Sequence, residues 1–186
     1  MVIYYTNQFG NKKGESHRWL AKAISMHTGQ DATELVNNMH IGELGKPSID
    51  GIDEFSISHS NNMWAVLFDT SPCGLDIQHH KAVDYMKLAN RWYNDEEKMY
   101  LGTLSGEELV TGFYKCWTRR EALVKSVGGS IVDSNLPSTI GDCIEYMGQK
   151  WKFQDFTITG ADNMSIAFCV KEVDEMNIVW LGECDA

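Results

Sequence analysis

The sequence predicts an α+β fold built from two halves, each with a helix packed on antiparallel strands. Three observations lead to this prediction. With 186 residues and 43 % hydrophobic residues, the chain is long enough to bury a core. Strand and helix patterns follow in a similar order twice, and the two series meet near residues 70–75. No linker separates them, so we expect an N-terminal half, residues 1–71, directly followed by a C-terminal half, residues 72–186.

The first half is predicted to begin with a strand and a helix. Residues 2–5 are a short run of β-branched and aromatic residues, which is typical of a strand. Apolar residues then recur at helical spacing after Ser16, a predicted N-cap, and Gly29 ends the helix. Arg18 falls in the first turn, where a cation is unfavourable to the helix dipole. It therefore hints at a nearby anion, although an ordinary surface arginine is the commoner explanation.

Between this helix and the next strand lies a glycine-containing loop, GELGKPS, at residues 42–48. It is not a nucleotide-binding P-loop, because the spacing from Gly42 to Gly45 is too short and Pro47 takes the hydroxyl position. Proline restricts the residue before it to extended conformations. We therefore expect Lys46 to reach out from a stiff loop.

A β-hairpin is predicted to end the first half. Residues 55–60, FSISHS, alternate as a strand does, Asn61 and Asn62 form the turn, and residues 63–69 return. His59 lies at the strand end, where contacts to ligands are common. A structural hydrogen bond is the more frequent role of a histidine at such a position.

A third strand, CGLDIQ, is predicted at residues 73–78. Alternation places Asp76 on the side opposite Leu75 and Ile77, and Gln78 shares the side of Asp76. A carboxylate on so apolar a strand needs a partner or a metal ion. A role in capping a turn is the open alternative.

The second half is predicted to continue with helices and then strands. Residues 81–101 have a helical pattern, within which Asn94 and Glu97 form a capping box that starts a new helix. Residues 105–127 form a long helix that two glycines end. Strand patterns return in WKFQDFTI, SIAFCV and NIVWL, from residue 151 onwards.

A row of three side chains stands out on the long helix. Trp117, Glu121 and Lys125 lie four residues apart and therefore share one face. Taken alone, the Glu and Lys are most simply explained as a solvated ion pair, worth about 0.2–0.5 kcal/mol.

The composition excludes several classes of function. A net charge of −10, from 26 acidic and 16 basic residues, argues against binding to nucleic acid. A small ligand that carries phosphate is compatible with it, because a few placed cations and a metal ion can hold one. No apolar run could cross a bilayer, and the N-terminus does not have the pattern of a signal peptide. The five cysteines are odd in number and lack CxxC spacing, so we expect reduced thiols and a cytoplasmic protein.

Four stretches occur in the order GKP, FSISHS, CGLDIQ and WTRREALVK. Together they resemble the 4'-phosphopantetheinyl transferase superfamily, whose signatures are G-[IV]-D and W-x-x-K-E-[AS]-x-x-K. The upstream GKP and SHS elements are similar to the single-chain, surfactin-synthetase-activating type. The resemblance implies an intramolecular pseudo-dimer with coenzyme A in the cleft between the halves. It also implies transfer of 4'-phosphopantetheine from coenzyme A to a serine of an apo acyl or peptidyl carrier protein, which releases adenosine 3',5'-bisphosphate.

The resemblance also implies roles for individual residues. Mg²⁺, with Mn²⁺ as an alternative, would be bound at Asp76, Glu121 and the position of Gln78. Glu121 would take the serine proton and Lys125 would assist the departing phosphate, while Trp117 packs the helix so that Glu121 points into the cleft. The residues expected to hold coenzyme A are Arg18, Lys46, Ser58, His59 and Lys125. Displacement at phosphorus needs these residue types, because charge must be neutralised and a proton moved.

Two residues depart from the family pattern. Gln78 stands where many relatives have a second acidic residue, so weaker metal affinity is expected. Arg120 replaces the motif lysine; it could bind phosphate through two hydrogen bonds, or the position could have another role. The departure at Gln78 leaves a second hypothesis open, a coenzyme A-binding protein that has lost catalysis and acts as a sensor or scaffold.

The expected partner and assembly follow from the same resemblance. Carrier proteins of this class are usually acidic, so docking to this acidic chain would rest on a local apolar or basic patch. Candidates for that patch are Met86, Lys87, Met99 and the loop after Ser105. We expect a monomer that binds neither nucleic acid nor membranes.

Overall fold

The computed structural model describes residues 1–129, 135–173 and 175–183. The first part of the chain forms strands and helices in the order β1 (Val2–Thr6), α1 (Glu15–Thr28), α2 (Thr33–Asn37), β2 (His40–Ile41), β3 (Pro47–Ser48), β4 (Glu54–Ser60) and β5 (Met63–Asp69). The remainder forms β6 (Gly74–His79), α3 (Tyr85–Trp92), α4 (Asp95–Gly102), α5 (Gly106–Val127), β7 (Cys143–Tyr146), β8 (Gln149–Asp155), β9 (Met164–Val170) and β10 (Asn177–Trp180). The predicted α+β class is confirmed.

Two four-stranded sheets share a common connectivity. In the first, with order β10-β1-β5-β4, β1 pairs with β5 and β5 pairs with β4, both antiparallel. In the second, with order β6-β9-β8-β7, β6 pairs with β9 and β9 pairs with β8, again antiparallel. The last strand, β10, returns to the first sheet and lies parallel to β1. A division at residue 72 therefore leaves one strand of the second half in the sheet of the first.

The apolar residues form layers around these sheets. Trp19, Leu20 and Ile24 of α1 pack with Trp64 and Phe68 on one face of the first sheet. Residues of both sheets meet in a second cluster, which contains Ile3, Leu67, Leu75, Ile77 and Phe168. A third cluster packs α5 on the second sheet through Ala122, Leu123, Trp151 and Phe153. Buried apolar area of this kind contributes about 25 cal/mol per Å² and is the main stabilising term. No helix in the described residues is both long and apolar enough to span a membrane.

One glycine allows α5 to lie close to the second sheet. A Cβ atom at Gly74 would lie 1.9 Å from the carbonyl oxygen of Ala122 and 2.8 Å from the backbone nitrogen of Ser126. Any larger residue would push α5 away from β6. The close approach brings the long helix and the strand of Asp76 into side-chain contact.

The start of the first helix corrects one of the sequence predictions. Helix α1 begins at Glu15 after Gly14, so Ser16 is not its N-cap. The Glu15 carboxylate accepts hydrogen bonds from the backbone of Gly10 and Lys12, which explains why the chain turns into a helix at this point. The hydroxyl of Ser16 instead accepts a hydrogen bond from the indole of Trp64.

The second half contains the predicted elements and one further strand. As the capping box of Asn94 and Glu97 predicted, a new helix, α4, begins after Asn94, so the helical segment at residues 81–101 comprises two helices, α3 and α4. Strand β7, which forms a hairpin with β8, was not predicted. Its residues are only partly buried, so it has no continuous apolar pattern.

Candidate functional site

The site begins where the edge strands of the two sheets, β4 and β6, lie side by side. Three serine hydroxyls of β4 bridge them by accepting hydrogen bonds from backbone N–H groups of β6. The pairs are Ser56 with Leu75 at 2.9 Å, Ser58 with Ile77 at 3.1 Å and Ser60 with His79 at 2.9 Å. These bridges fix β6, and hence Asp76, relative to the first sheet.

Asp76 is the central group of the site and is only 2 % exposed. Its Oδ1 accepts hydrogen bonds from the Ser58 hydroxyl at 2.9 Å and from Lys125 Nζ at 2.7 Å. Its Oδ2 accepts one from the amide of Gln78 at 3.1 Å. A carboxylate this buried needs such partners, because its desolvation would otherwise cost several kcal/mol, of order 3–5 by analogy with broken buried ion pairs.

Lys125 bonds to Asp76 and not to its helix neighbour. Its ammonium group donates to Asp76, to the Ser58 hydroxyl at 3.1 Å and to the carbonyl of Leu75 at 3.0 Å, which uses all three donors. Among the described residues its salt bridge is the one to Asp76. The alternative of a solvated pair between Glu121 and Lys125 is therefore wrong.

Glu121 lies one turn before Lys125 and has a different environment. It is partly buried, and no hydrogen-bond donor in the described part of the chain reaches its carboxylate. The pKa of the Glu121 carboxyl is raised, mainly because the group is buried and secondly because Asp76 is negatively charged. The positive charge of Lys125 partly opposes this shift. A further cation close to both carboxylates would be favourable.

The donor set fits a hard divalent cation that completes its shell with other ligands. No group of three His, Cys, Asp or Glu side chains with metal-binding spacing occurs among the described residues. Mg²⁺ commonly uses only one or two carboxylates, with water and substrate phosphate supplying the other oxygens. Asp76 and Glu121 satisfy that requirement. The amide of Gln78, on the same strand as Asp76, donates a hydrogen bond to Asp76 Oδ2.

A cavity of about 300 Å³ opens between the loop at residues 44–47, strand β4 and helix α5. Its wall includes Lys46, Ser56, Glu121 and Lys125. Lys46 therefore does reach the site, where Nζ lies 2.6 Å from a carboxylate oxygen of Glu54 and 3.4 Å from the carbonyl of Ser126. Two lysines thus face one cavity together with a carboxylate that has no hydrogen-bond donor among the described residues, which suits an anionic ligand together with a cation.

Three predicted contact residues, Arg18, Ser58 and His59, lie outside the wall of this cavity. His59 is largely exposed and packs on Phe9, with 4.8 Å between the ring centroids. The pKa of His59 is lowered, mainly by the partial burial of its ring and secondly by the positive charge of Lys125. The lowered pKa favours the neutral ring. Arg18 lines a separate depression between α1 and α2, together with His17 and Lys22.

Ser58 was predicted as a ligand contact, but it is buried at 5 % exposure. Its hydroxyl donates to Asp76 and accepts from Ile77 N–H and from Lys125. A hydroxyl has one donor and two lone pairs, so these three bonds use its whole capacity. The pattern FSISHS predicted the strand and its alternation, but it did not reveal that the Ser58 hydroxyl is fully hydrogen-bonded within the protein.

Two buried arginines of α5 are residues that sequence reasoning missed or left open. Arg120, 2 % exposed, donates to Glu97 at 2.8 Å, so a direct contact with phosphate is not its role here. Arg119 donates to Asp155 and Asp142 and to three backbone carbonyls of residues 139–141. Two consecutive arginines within an apolar helix are the signal that could have found this network.

Trp117 lies on the side of α5 that meets α3 and α4. Its ring stacks on Phe113 at 6.0 Å between centroids, within the cluster of those helices. It therefore anchors the helix one turn before Glu121, in agreement with the predicted packing role.

Comparison with known proteins identifies the family. Residues 72–169, which include Asp76, Glu121 and Lys125, match the 4'-phosphopantetheinyl transferase superfamily. The chain belongs to this superfamily, and the resemblance seen in the motifs is confirmed.

Three relatives illustrate the extent of the similarity. The 4'-phosphopantetheinyl transferase AcpT of Salmonella typhimurium is 33 % identical over 131 residues, 66 % of this chain and 67 % of AcpT. The transferase gsp of Aneurinibacillus migulanus is 30 % identical over 86 residues, 46 % of this chain and 36 % of gsp. Sfp of Bacillus subtilis is 32 % identical over 88 residues, 46 % of this chain and 39 % of Sfp. The matches to gsp and Sfp thus span less than half of those proteins, and they agree with the surfactin-activating type.

Proposed function

We propose that this protein transfers the 4'-phosphopantetheine group of coenzyme A to a serine hydroxyl of an apo acyl or peptidyl carrier protein. The reaction would require Mg²⁺, or Mn²⁺ in its place, and would release adenosine 3',5'-bisphosphate. The observation that carries the proposal is that Glu121 and Lys125 line one cavity while Lys125 is bonded to the buried Asp76, in a chain of this superfamily.

Asp76 and Glu121 would hold the metal ion, with Gln78 as a neutral neighbour. When bound, the ion would neutralise charge on the pyrophosphate of coenzyme A. The support is the pair of neighbouring carboxylates, one of which has a raised pKa because of burial and of the other's charge. Lys46, which also lines the cavity, would contact the nucleotide end of coenzyme A. Arg18 and His59 stay candidates for its outer phosphates.

The chain's own residues would move one proton and support one leaving group. The carrier serine oxygen would form a bond to the phosphorus of the phosphopantetheine group, and the bond from that phosphorus to the adenosine bisphosphate would break. Glu121 would accept the serine proton, which its raised pKa favours. Lys125 would exchange one of its three hydrogen bonds for an oxygen of the departing phosphate.

The two halves, residues 1–71 and 72–186, would form the intramolecular pseudo-dimer of the single-chain type. Support comes from the shared connectivity of the two sheets, with β10 as an addition to the first. We further propose a monomeric, cytoplasmic protein, since the described cysteines are free and three of them are buried. For the carrier we propose a patch near Met99, which is 75 % exposed, with Lys87 and Met86 nearby in sequence.

A carrier-loading assay tests the proposal. The protein is incubated with coenzyme A, Mg²⁺ and several apo carriers, and each carrier is weighed by mass spectrometry. We expect a gain of one phosphopantetheine arm, lost when EDTA is added. A carrier whose acceptor serine is replaced by alanine is the matched control. Coenzyme A binding without transfer to any carrier would instead favour the sensor or scaffold hypothesis, and neither binding nor transfer would overturn both.

A further inference from the structure

The three serine bridges between β4 and β6 share the same geometry: a side-chain hydroxyl of β4 accepts a hydrogen bond from a backbone N–H group of β6. Ser56, Ser58 and Ser60 each accept a hydrogen bond from the backbone N–H group nineteen residues further along the chain. The offset is constant because the two edge strands run in the same direction. Side-chain hydroxyls thus take the place that backbone carbonyls have within a sheet. Each bridge satisfies a backbone donor of β6.

The middle bridge differs from its neighbours. Ser58 also donates to Asp76 Oδ1 at 2.9 Å and accepts from Lys125 Nζ at 3.1 Å. For Ser56 and Ser60, among the described residues, the hydroxyl contacts are the bridging bonds alone. Ser58 therefore joins the first sheet, the buried carboxylate of β6 and the ammonium of α5 at one oxygen.

We propose that Ser58 is a positioning residue, whose hydroxyl sets the orientation of the Asp76 carboxylate and the Lys125 ammonium and does not contact coenzyme A. The proposal rests on the proposed function of Asp76 as a metal ligand. It replaces the direct contact with coenzyme A that the family resemblance implies for this position. Burial at 5 % and the use of all three hydrogen-bonding sites by the chain leave the hydroxyl no free site for a ligand.

Removing this hydroxyl should act on the metal and not on coenzyme A. In Ser58→Ala, Asp76 loses one donor and Lys125 loses one acceptor, so both side chains become less restricted. Preorganised ligands bind metal ions more tightly, and outer-shell hydrogen bonds of this kind typically change affinity by about 10–100-fold. Ser60→Ala removes the same kind of bridge without touching Asp76, and Ser56→Ala does so at a similarly buried position.

The experiment measures Mn²⁺ binding by titration in the absence of coenzyme A, together with the KM for coenzyme A in the transfer assay. For Ser58→Ala we expect Mn²⁺ binding to weaken by about tenfold or more, with the KM for coenzyme A within about twofold of wild type. Ser56→Ala and Ser60→Ala should bind Mn²⁺ within about twofold of wild type. Ser58→Thr, which keeps the hydroxyl, should restore most of the Mn²⁺ affinity.

Several results would overturn the proposal. A raised KM for coenzyme A with unchanged Mn²⁺ affinity would show a direct contact. Equal losses of Mn²⁺ affinity in Ser56→Ala and Ser60→Ala would show a general loosening of the two sheets. No Mn²⁺ binding by the wild-type protein would also contradict it. If Ser58→Ala does not fold, Ser58→Cys, with a similar size and a weak donor, should show the same selective loss.

The positioning role and the proposed function fail in different ways. If the wild-type protein loads no carrier while Ser58→Ala still loses Mn²⁺ affinity, the transfer activity is refuted and the positioning role stands. If transfer proceeds and Ser58→Ala changes only the KM for coenzyme A, the transfer activity stands and the positioning role is refuted.

Discussion

On the buried face of α5, Arg119 and Arg120 are held by carboxylates, whereas on the cavity face the carboxylate of Glu121 has no hydrogen-bond donor among the described residues. The buried pairs tie α5 to the second sheet and to α4, so they fix the rotation of the helix about its axis. Glu121 follows directly in sequence and is turned towards the cavity as a result. The comparison teaches that the charges paired on the buried face build the framework, whereas Glu121, without a hydrogen-bond donor in the described part of the chain, is available for chemistry.

The carboxylate of Glu97, on the buried face, is hydrogen-bonded through both of its oxygens. It is fully buried and accepts hydrogen bonds from Arg120, from the backbone of Asn94 and from the backbone and hydroxyl of Thr139. One carboxylate therefore closes the capping box of α4 and anchors α5. Glu121, by contrast, has a raised pKa because burial and Asp76 disfavour its charge.

The largest expected effect comes from Glu121→Gln, which removes charge from the cavity face without changing its shape. We expect the transfer rate to fall by about 10²–10⁴-fold, the range for loss of a general base. The melting temperature should stay the same or rise, since an unfavourable buried charge is lost. Carrier loading followed by mass spectrometry and thermal unfolding measure the two effects. A large loss of stability would show that Glu121 belongs to the framework.

Arg120→Met tests whether the ion pair of Arg120 with Glu97 on the buried face stabilises the fold. It leaves the carboxylate of Glu97 buried without its cation, which typically costs about 3–5 kcal/mol of unfolding free energy. Urea denaturation measures this loss. The double variant Arg120→Met with Glu97→Gln should recover part of it, because the uncompensated charge is removed. A raised KM for coenzyme A with little change in stability would instead indicate a contact of Arg120 with phosphate.

Gly74→Ala tests the close approach that brings α5 to Asp76. The added Cβ would lie 1.9 Å from the Ala122 carbonyl, so the helix must move. Overpacking of this kind costs about 1–3 kcal/mol, and the transfer rate should fall as well because Lys125 is displaced from Asp76. Gly102→Ala is the matched control, since a Cβ there has no neighbour within 4 Å. Equal effects of the two variants would contradict this explanation.

Gln78→Glu is expected to place a second carboxylate next to Asp76 on β6. It replaces a donor to Asp76 by a like charge, so the metal-free protein should lose about 1 kcal/mol of stability. Added Mg²⁺ should restore that stability, and the Mg²⁺ concentration for half-maximal transfer should fall several-fold. Unfolding with and without Mg²⁺, and a Mg²⁺ titration of transfer, check both. An unchanged or raised half-saturation point would refute the idea.

The smallest expected effect concerns Glu15, a paired glutamate that contrasts with Glu121. Hydrogen bonds from the backbone of Gly10 and Lys12 lower the pKa of the Glu15 carboxyl. Its stabilisation is therefore present at neutral pH and is lost as the pH falls through the folded-state pKa. Glu15→Gln should lower stability by about 1 kcal/mol at pH 7 and by less in acid. Unfolding curves across pH 3–7 would contradict this if the difference did not shrink.

Much of the fold could be predicted, because local patterns specify local structure. The capping box at Asn94, the long helix ending at two glycines and the hairpin at FSISHS follow from residue types at fixed spacing. The start of α1 could not be predicted, because Glu15 is bonded to a loop that precedes it and Ser16 is used by Trp64, distant in sequence. Strand β7 was missed because it buries little apolar surface.

The sequence by itself determined the α+β class, the order of elements and the family, since these depend on periodicity and on motifs that can be read along the chain. Only the tertiary structure decided the partners. It paired Lys125 with Asp76 instead of Glu121, buried Arg120 against Glu97, filled every site of the Ser58 hydroxyl and returned β10 to the first sheet. The physical reason is that periodicity reports which face of an element is buried, whereas the partner of a buried charge is set by whatever element packs across from it.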